Sequence, residues 1–355
     1  MITISLCMIV KDEEAVLARC LDSVKEAVDE IIIVDTGSTD NTKEIAKKYT
    51  SKVYDFKWID DFSAARNEAY SKASMDYQMW LDADDVIPPE ELTKLIALKN
   101  ELDPGVNMVS MKYHTAFDDQ GHPLLTSTRG RLTRRKLGIK WEDPIHEYMP
   151  IPPGNIYADI YIHHKKNPKE GDGNRNLNIY TNLEASLKPM NARQTYYFAR
   201  ELKDHGMWAK SAWYFEKFLD SGQGWLEDNI ASCLALSIAY NTLGAEEKIV
   251  PVLIRSFNYD APRAEICCEL GYYYKRKEDY RTAFHWFHTA LNLERPDSKG
   301  FVLPDYLDYI PNIECCVCRY KLGDIEGAKM YNERAALARP NSPGVEHNRK
   351  FFAEL

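Results

Sequence analysis

Tyr77-Gln78-Met79-Trp80-Leu81-Asp82-Ala83-Asp84-Asp85 is the stretch that decides the fold. Its first half is apolar and reads as a buried strand; its second half crowds three acids at the strand exit. Desolvating like charges is unfavourable unless a cation or hydrogen bonds compensate. A divalent metal resolves the repulsion, and a metal held this way can in turn hold a diphosphate. A buried strand ending in carboxylates also points to the carboxyl edge of a parallel sheet, where ligands bind in open α/β folds.

The sequence around it alternates strand and helix patterns. Residues 3–10 predict a strand, and 13–27 an amphipathic helix with Leu17, Leu21, Val24 and Val28 on one face. The β-branched run 31–35 predicts a buried parallel strand that ends in Asp35. Thr36-Gly37-Ser38-Thr39-Asp40 is a loop, and Asn41 with Glu44 has the spacing of a capping box. Strands follow at 52–56, 77–82 and 106–114, with helices at 63–73 and 89–99 between them. Such alternation predicts a parallel, doubly wound sheet, with Asp35 and Asp82 both at the ligand edge.

At 355 residues the chain is too long for one ordinary core, and two domains are expected. Its formal net charge of −9 argues against nucleic acid or an anionic membrane surface as the main partner. Within that acidic total, Arg129-Gly130-Arg131-Leu132-Thr133-Arg134-Arg135-Lys136 is a basic patch, read either as a solvated loop or as a phosphate contact. No stretch approaches the roughly 20 apolar residues of a membrane span. Residues 2–10 are followed by Lys11-Asp12-Glu13-Glu14 rather than a small-residue cleavage site, so the expected compartment is cytoplasmic. The eight cysteines fit it. Cys315 and Cys318 form a CxxC within a helix pattern, but no second pair follows, and small buried core residues are the favoured reading.

From about residue 176 the pattern is aromatic, Ala-rich and helical. Leu270-Gly271, Tyr274, Ala283, Phe287, Ala290 and Pro296 follow the tetratricopeptide (TPR) spacing. Ala199 with Phe215, and Leu322-Gly323-Asp324 with Gly327 and Tyr331, are weaker copies, which together predict a helical solenoid. The polar segment 165–175 is read as the boundary, giving domains 1–168 and 169–355.

Several side chains are candidates for chemistry. The backbone at Ile9–Val10 can line a base pocket, and Asp35 can accept a hydrogen bond from a nucleobase imide. Ser38, Thr39 and Asp40 are read as helix caps, and Glu13 and Glu14 as acids favoured at a helix start. Arg66, early in its helix, is a salt bridge on the plain reading and a phosphate or base contact on the sharper one. Neither GxGxxG nor GxxxxGK[ST] occurs, which excludes dinucleotide and P-loop sites.

Ser5-Leu-Cys-Met-Ile-Val-Lys-Asp-Glu-Glu14, Val34-Asp-Thr-Gly-Ser-Thr-Asp-Asn-Thr42, Asp61-Phe-Ser-Ala-Ala-Arg-Asn67 and Trp80-Leu-Asp-Ala-Asp-Asp85, in that order, resemble the inverting family 2 glycosyltransferases of the GT-A fold. The resemblance covers about residues 1–165. The tail looks like the helical-repeat extension of a bacterial subgroup, some members of which glycosylate peptides, bacteriocin S-glycosyltransferases among them. The fold implied is an α/β GT-A domain, Rossmann-like with a mostly parallel sheet, followed by an all-α TPR-like domain for acceptor binding or homodimerisation.

The resemblance also implies roles. Asp35 would contact uracil or another base, Asp82 the ribose and metal, and Asp84 a Mn²⁺ or Mg²⁺ bridging the diphosphate of a nucleotide-sugar donor. Hard oxygen ligands suit both ions. Arg66 and Arg131 would add phosphate contacts. Inversion needs one general base; Asp143 and Glu147 are both kept for that role, with Glu147 favoured. His146 would ligate metal or orient the base, and His163, ending the strand pattern 157–164, matches a third metal ligand. Asp85 is read as structural. The acceptor would be a peptide, a protein or a glycan. A non-catalytic repeat scaffold carrying a degenerate transferase domain is the rival reading, and a nucleotidyltransferase lacks its Gly-rich basic loop here.

Overall fold

The strand Ile4–Val10 (β1) is buried along nearly its whole length because it is central: β2 (Glu30–Asp35) pairs with one edge and β4 (Tyr77–Trp80) with the other, both parallel. A strand covered on both faces has no polar side to alternate with, which is why its sequence is continuously apolar. In the computed structural model, residues 1–117, 123–165, 173–294 and 304–355 are described. The remaining elements of the first half, in chain order, are α1 (Leu17–Val24), α2 (Thr42–Ala46), β3 (Val53–Asp55), α3 (Phe62–Ser71), β5 (Asp85–Val86), α4 (Pro89–Glu101), β6 (Met108–Phe117), β7 (Pro123–Arg134) and β8 (Asn155–His164).

These strands make one sheet of eight, ordered β3-β2-β1-β4-β7-β6-β8-β5. The pairs β3–β2, β2–β1, β1–β4 and β6–β8 are parallel; β4–β7, β7–β6 and β8–β5 are antiparallel. The sheet is mostly parallel, as the GT-A resemblance implies, with an antiparallel insertion. The insertion is β7, which holds residues 129–134 of the basic patch read from sequence either as a solvated loop or as a phosphate contact. Arg, Thr and Gly outnumber apolar residues there, so local propensity hides a strand that the register between Met79 and Leu132 settles. Helices cover both faces. Leu17, Cys20, Leu21 and Val24 of α1 and Leu95 of α4 pack with Leu6, Met8, Met79 and Ile162; Ala69 and Tyr70 of α3 pack with Cys7, Ile32, Val34, Trp80 and Trp141.

The capping box expected at Asn41 and Glu44 does not form. The exits of β1 and β2 interlock instead. Asp12 N–H donates to Ser38 Oγ at 2.9 Å, Thr39 N–H to Asp12 Oδ1 at 2.7 Å, Glu13 N–H to Thr42 Oγ1 at 2.7 Å, and Asn41 N–H to Glu14 Oε2 at 3.0 Å. A distant carboxylate satisfies the helix entrance, so Glu44 is left to pair with Lys47 at 2.7 Å.

By its internal contacts the chain divides into two compact units, Met1–Ile179 and Tyr180–Leu355, with the helix α5 (Arg175–Ala185) running across the division. The sequence-based boundary at 168/169 lies outside the described residues, as does Pro296 of the repeat pattern. The second unit is helical: α6 (Ala192–Asp204), α7 (Trp208–Asp220), α8 (Leu226–Leu243), α9 (Ile249–Arg255), α10 (Ala264–Arg276), α11 (Tyr280–Leu291), α12 (Tyr309–Lys321), α13 (Ile325–Ala338) and α14 (Pro343–Ala353). Consecutive helices pack as hairpins of the TPR kind. In the pair α10–α11, a Cβ on Gly271 would lie 2.7 Å from the Phe287 ring, so only glycine permits that approach. All eight cysteines are buried and unpaired. Among the described residues no helix is long and apolar enough to cross a membrane.

Candidate active site

Val10 and Asp35 are register partners at the carboxyl ends of β1 and β2. Gly37, at φ 110°, turns the chain so that its own N–H and that of Ser38 both donate to Asp35 Oδ1 at 2.9 Å. Lys43 Nζ stands 3.7 Å from the same oxygen. The carboxylate is wholly buried, yet its Oδ2 has no hydrogen-bond partner. A buried acceptor without a donor is unfavourable by itself and is relieved by a ligand N–H.

The acids that follow β4 separate into different environments. Asp85 has no exposed surface. Its Oδ2 accepts from Arg131 Nη1 and from the Asp82 N–H, each at 3.0 Å, and its Oδ1 from the Tyr113 hydroxyl at 2.8 Å. Burial opposes its charge, but Arg131, His164 and these hydrogen bonds together hold its pKa below the usual carboxylate value. Asp84 is more open, with its side chain 19% exposed, and its Oδ1 lies 3.2 Å from His164 Nδ1. His164 is also 3.4 Å from Asp85 Oδ1, and hydrogen bonding to Asp84 and then to Asp85 lifts its pKa to about 10 against the opposing effect of burial. One donor atom each from Asp84, Asp85 and His164 lie within 4.8 Å of one another. Two carboxylates and an imidazole at that spacing fit a divalent ion, which would have to displace the proton that Asp84 and Asp85 hold on His164. Because Asp85 is already saturated with hydrogen bonds, Asp84 and His164 are its more accessible donors.

A second arginine organises the other side of the strand exit. Arg66 reaches from α3 with Nη2 2.8 Å from Asp82 Oδ1 and Nε 2.7 Å from Glu147 Oε1. Its guanidinium lies 4.9 Å from the ring centre of Trp80 and 4.8 Å from that of Trp141, two rings that meet edge to face. Burial disfavours the cation, but Asp82 and Glu147 outweigh it and raise its pKa. Nη1 is buried without a partner. Glu147 thus lies beside Asp82, joined to it through one guanidinium.

The structure brings Arg66, Asp82 and Glu147 together, and sets Asp84 in the cluster with His164. It places two expected residues elsewhere. Arg131 was expected to touch phosphate, but it has no exposed surface and lies between Trp80 at 3.7 Å and Tyr113 at 4.3 Å. The alternation of β7 turns it into the core, where Asp85 takes its charge. His163 was expected at the metal, but it points to the other face of β8. There it stacks on Tyr161 with ring centres 5.2 Å apart and lies 5.3 Å from His114, and burial, then His114 and Lys165, lower its pKa. The signal for His164 was present in the period of the strand: Ile160, Ile162 and His164 share one face, and Ile160 and Ile162 are buried. Asp82 is not in the cation cluster; its Oδ1 is engaged by Arg66. Asp143 and His146 lie in the loop before β8 in left-handed conformations, with φ of 70° and 52°.

The fold is an α/β domain followed by helical repeats, with a candidate cation cluster at its strand exits. Residues 5–151 match the glycosyl transferase family 2 model, and the N-terminal unit carries a domain of that family. A TPR repeat-containing protein of Synechococcus elongatus is 40% identical over 147 residues, 41% of this chain and 35% of that protein. The SPbeta prophage-derived glycosyltransferase SunS of Bacillus subtilis is 32% identical over 213 residues, 56% of this chain and 49% of that protein. This chain therefore spans half or less of the length of these relatives. Glucosyl-3-phosphoglycerate synthase of Mycobacterium tuberculosis, solved with Mn²⁺, UDP-glucose and phosphoglyceric acid, aligns with 32% of this chain and 44% of that chain. The identity is 24% and the TM-score 0.28, too distant to bear on the ligands of this chain.

Proposed function

We propose that the protein is a metal-dependent inverting glycosyltransferase that moves a sugar from a nucleoside diphosphate-sugar, a UDP-sugar in the first instance, to a peptide, protein or glycan. The observation that carries this reading is the Asp84–Asp85–His164 cluster at the exit of β4, in a domain of a glycosyltransferase family. Asp35, with its unpartnered buried oxygen at the exit of β2, is positioned to accept the base N–H, beside the Val10 backbone. Asp84 and His164 would hold the ion, with Asp85 fixed behind them; an imidazole in the set favours Mn²⁺ over Mg²⁺. When bound, that ion neutralises the diphosphate leaving group.

Glu147 is the group we assign to the general base, in preference to Asp143. Its carboxylate takes the proton of the acceptor nucleophile as that atom bonds to the anomeric carbon. The bond from that carbon to the phosphate oxygen breaks, and its electron pair leaves with the nucleoside diphosphate. Arg66 offers Nη1 to developing negative charge. The eight unpaired cysteines agree with a reducing compartment such as the cytoplasm. The helical unit is assigned to acceptor binding or self-association.

A thermal-shift screen of UDP and UDP-sugars with and without Mn²⁺, followed by a hydrolysis assay, tests this, because a ligand of the folded state raises its apparent stability. Metal-dependent shifts and turnover are expected, both lost in Asp84→Ala. Binding without turnover would favour the scaffold reading. Neither binding nor turnover with any nucleotide sugar would end the enzyme reading.

A further inference from the structure

We propose that Asn67, with Arg66 beside it, is a positioning residue for Glu147: the first two turns of α3 form a clasp that sets the base-bearing loop against the strand exit. The inference rests on the assignment of Glu147 as base. Three consecutive contacts make the clasp. The Phe62 N–H donates to Pro144 O at 2.8 Å. Asn67 closes a two-way pair with the backbone of Trp141, its Nδ2 donating to Trp141 O and its Oδ1 accepting from Trp141 N–H, both at 2.9 Å. Arg66 Nε then binds the Glu147 carboxylate itself, at 2.7 Å.

Each contact falls on a different part of one loop. Trp141 is its entrance, Pro144 its middle and Glu147 its end. The loop closes on itself through Glu142 and Tyr148, whose N–H groups donate to each other's carbonyls at 2.9 and 3.1 Å. That closure makes the loop a unit, but it does not say where the unit sits. Asn67 does, because a side-chain amide that satisfies both backbone groups of Trp141 leaves that peptide one position and one orientation. Trp141 carries the position onward: its ring packs edge-on against Trp80, 5.1 Å between centres, and covers one side of the Arg66 guanidinium. Two residues of the loop, Asp143 and His146, hold left-handed backbone conformations, which Asp and His take more readily than most non-glycine residues, so it is the contacts from α3 that hold the loop from outside. A loop so held from outside relaxes when its anchor is removed. Asn67 itself reaches neither Asp35 nor the cluster of Asp84, Asp85 and His164 by any bond to them, so its effect should appear in the chemical step and not in donor binding.

The test is hydrolysis of a panel of UDP-glucose, UDP-galactose and UDP-N-acetylglucosamine with Mn²⁺ by the full chain, compared with Asn67→Ala and Asn67→Asp. Affinity for UDP with Mn²⁺ is titrated on the same preparations. Displacing a catalytic group by about 1 Å can cost about a hundredfold. We expect kcat of Asn67→Ala to fall about ten- to a hundredfold, with KM for the donor and UDP affinity within about twofold of wild type. Asn67→Asp retains an acceptor for the Trp141 N–H and loses the donor to its carbonyl, so its kcat should fall less. Wild-type turnover with both variants within about twofold of it would overturn the clasp and leave the transferase reading intact. A fall in kcat matched by an equal loss of UDP affinity would also overturn it, since that is disruption of the domain and not placement of a base. A wild type that binds UDP and turns over none of the panel would bring down the transferase reading, and the clasp with it.

Discussion

Two corners of the N-terminal unit meet at the indole of Trp80, and each is built on an arginine. In one, Arg131 lies 3.7 Å from the ring centre, wholly buried, with Asp85 as its ion partner at 3.0 Å. In the other, Arg66 lies 4.9 Å from the same ring centre and forks between Asp82 and Glu147, whose side chains keep 33% and 13% exposure. The stacking is alike; what differs is the carboxylate. Asp85 has both oxygens saturated by protein donors, so the Arg131 corner is closed and acts as a support. Asp82 and Glu147 keep contact with solvent, so the Arg66 corner can still respond to a ligand; unpartnered nitrogens do not separate the two, since Arg66 leaves Nη1 and Arg131 leaves Nε and Nη2 without a partner. An arginine next to an acidic strand exit therefore says little until one knows which of its partners is complete.

Replacement of each arginine by methionine would break the comparison most directly. Arg131→Met removes the wholly buried cation partner of Asp85 and leaves only the partly exposed His164 beside it, and should destabilise by about 4 kcal/mol. Arg66→Met exposes partners that water can reach, and should lose about half of that. Chemical denaturation of both variants measures the difference; equal losses would mean that the two corners are alike. Glu147→Gln should come next in size. It keeps the hydrogen bond to Arg66 and removes the base, so turnover should fall about a hundredfold while UDP affinity holds. If Asp143→Asn shows that loss and Glu147→Gln does not, the base is Asp143.

The smallest effect extends the comparison to the helical unit. Asp228, at the start of α8, has its pKa pushed up to about 6 by burial, against the opposing influence of Arg193, Arg200 and a hydrogen bond from Tyr196. A carboxyl whose folded pKa lies above its unfolded value of 3.8 binds its proton more tightly when folded. Stability from that proton is present at pH below 3.8 and is lost as the pH rises to about 6. Asp228→Asn removes the penalty. It should stabilise the protein by about 1 kcal/mol at neutral pH, after allowance for the solvent still reaching the group, and by nothing near pH 3. Urea midpoints at the two pH values decide it. A gain of equal size at both would show that burial does not raise the pKa of Asp228.

Much of the fold was legible in the residues. The apolar runs that end in Asp35 and in Asp82 predicted central parallel strands, because a strand buried on both faces has no other way to be soluble than through its ends. The 16-residue offset from Gly271 to Phe287 predicted a helical hairpin, and it recurs as a contact that excludes a Cβ. β7 was not legible, since Arg129 to Arg134 carries the composition of a loop and becomes a strand through its neighbours. The choice between His163 and His164 was within reach, because two-residue alternation from Ile160 and Ile162 marks His164 as the inward one. The place of Asn67 was not, since its partner is Trp141, 74 residues away.

By itself, the sequence determined the main alternation of strands and helices up to about residue 114, the edge at which acids gather, and the repeating hairpins of the second unit. All of these rest on periodicity and on the cost of burying charge, which act within a few residues. Tertiary structure alone decided which of the acids is closed. Asp85 meets Arg131 at a separation of 46 residues and Glu147 meets Arg66 at 81. Such pairings depend on where the sheet and α3 deliver each side chain, and no local pattern carries that information.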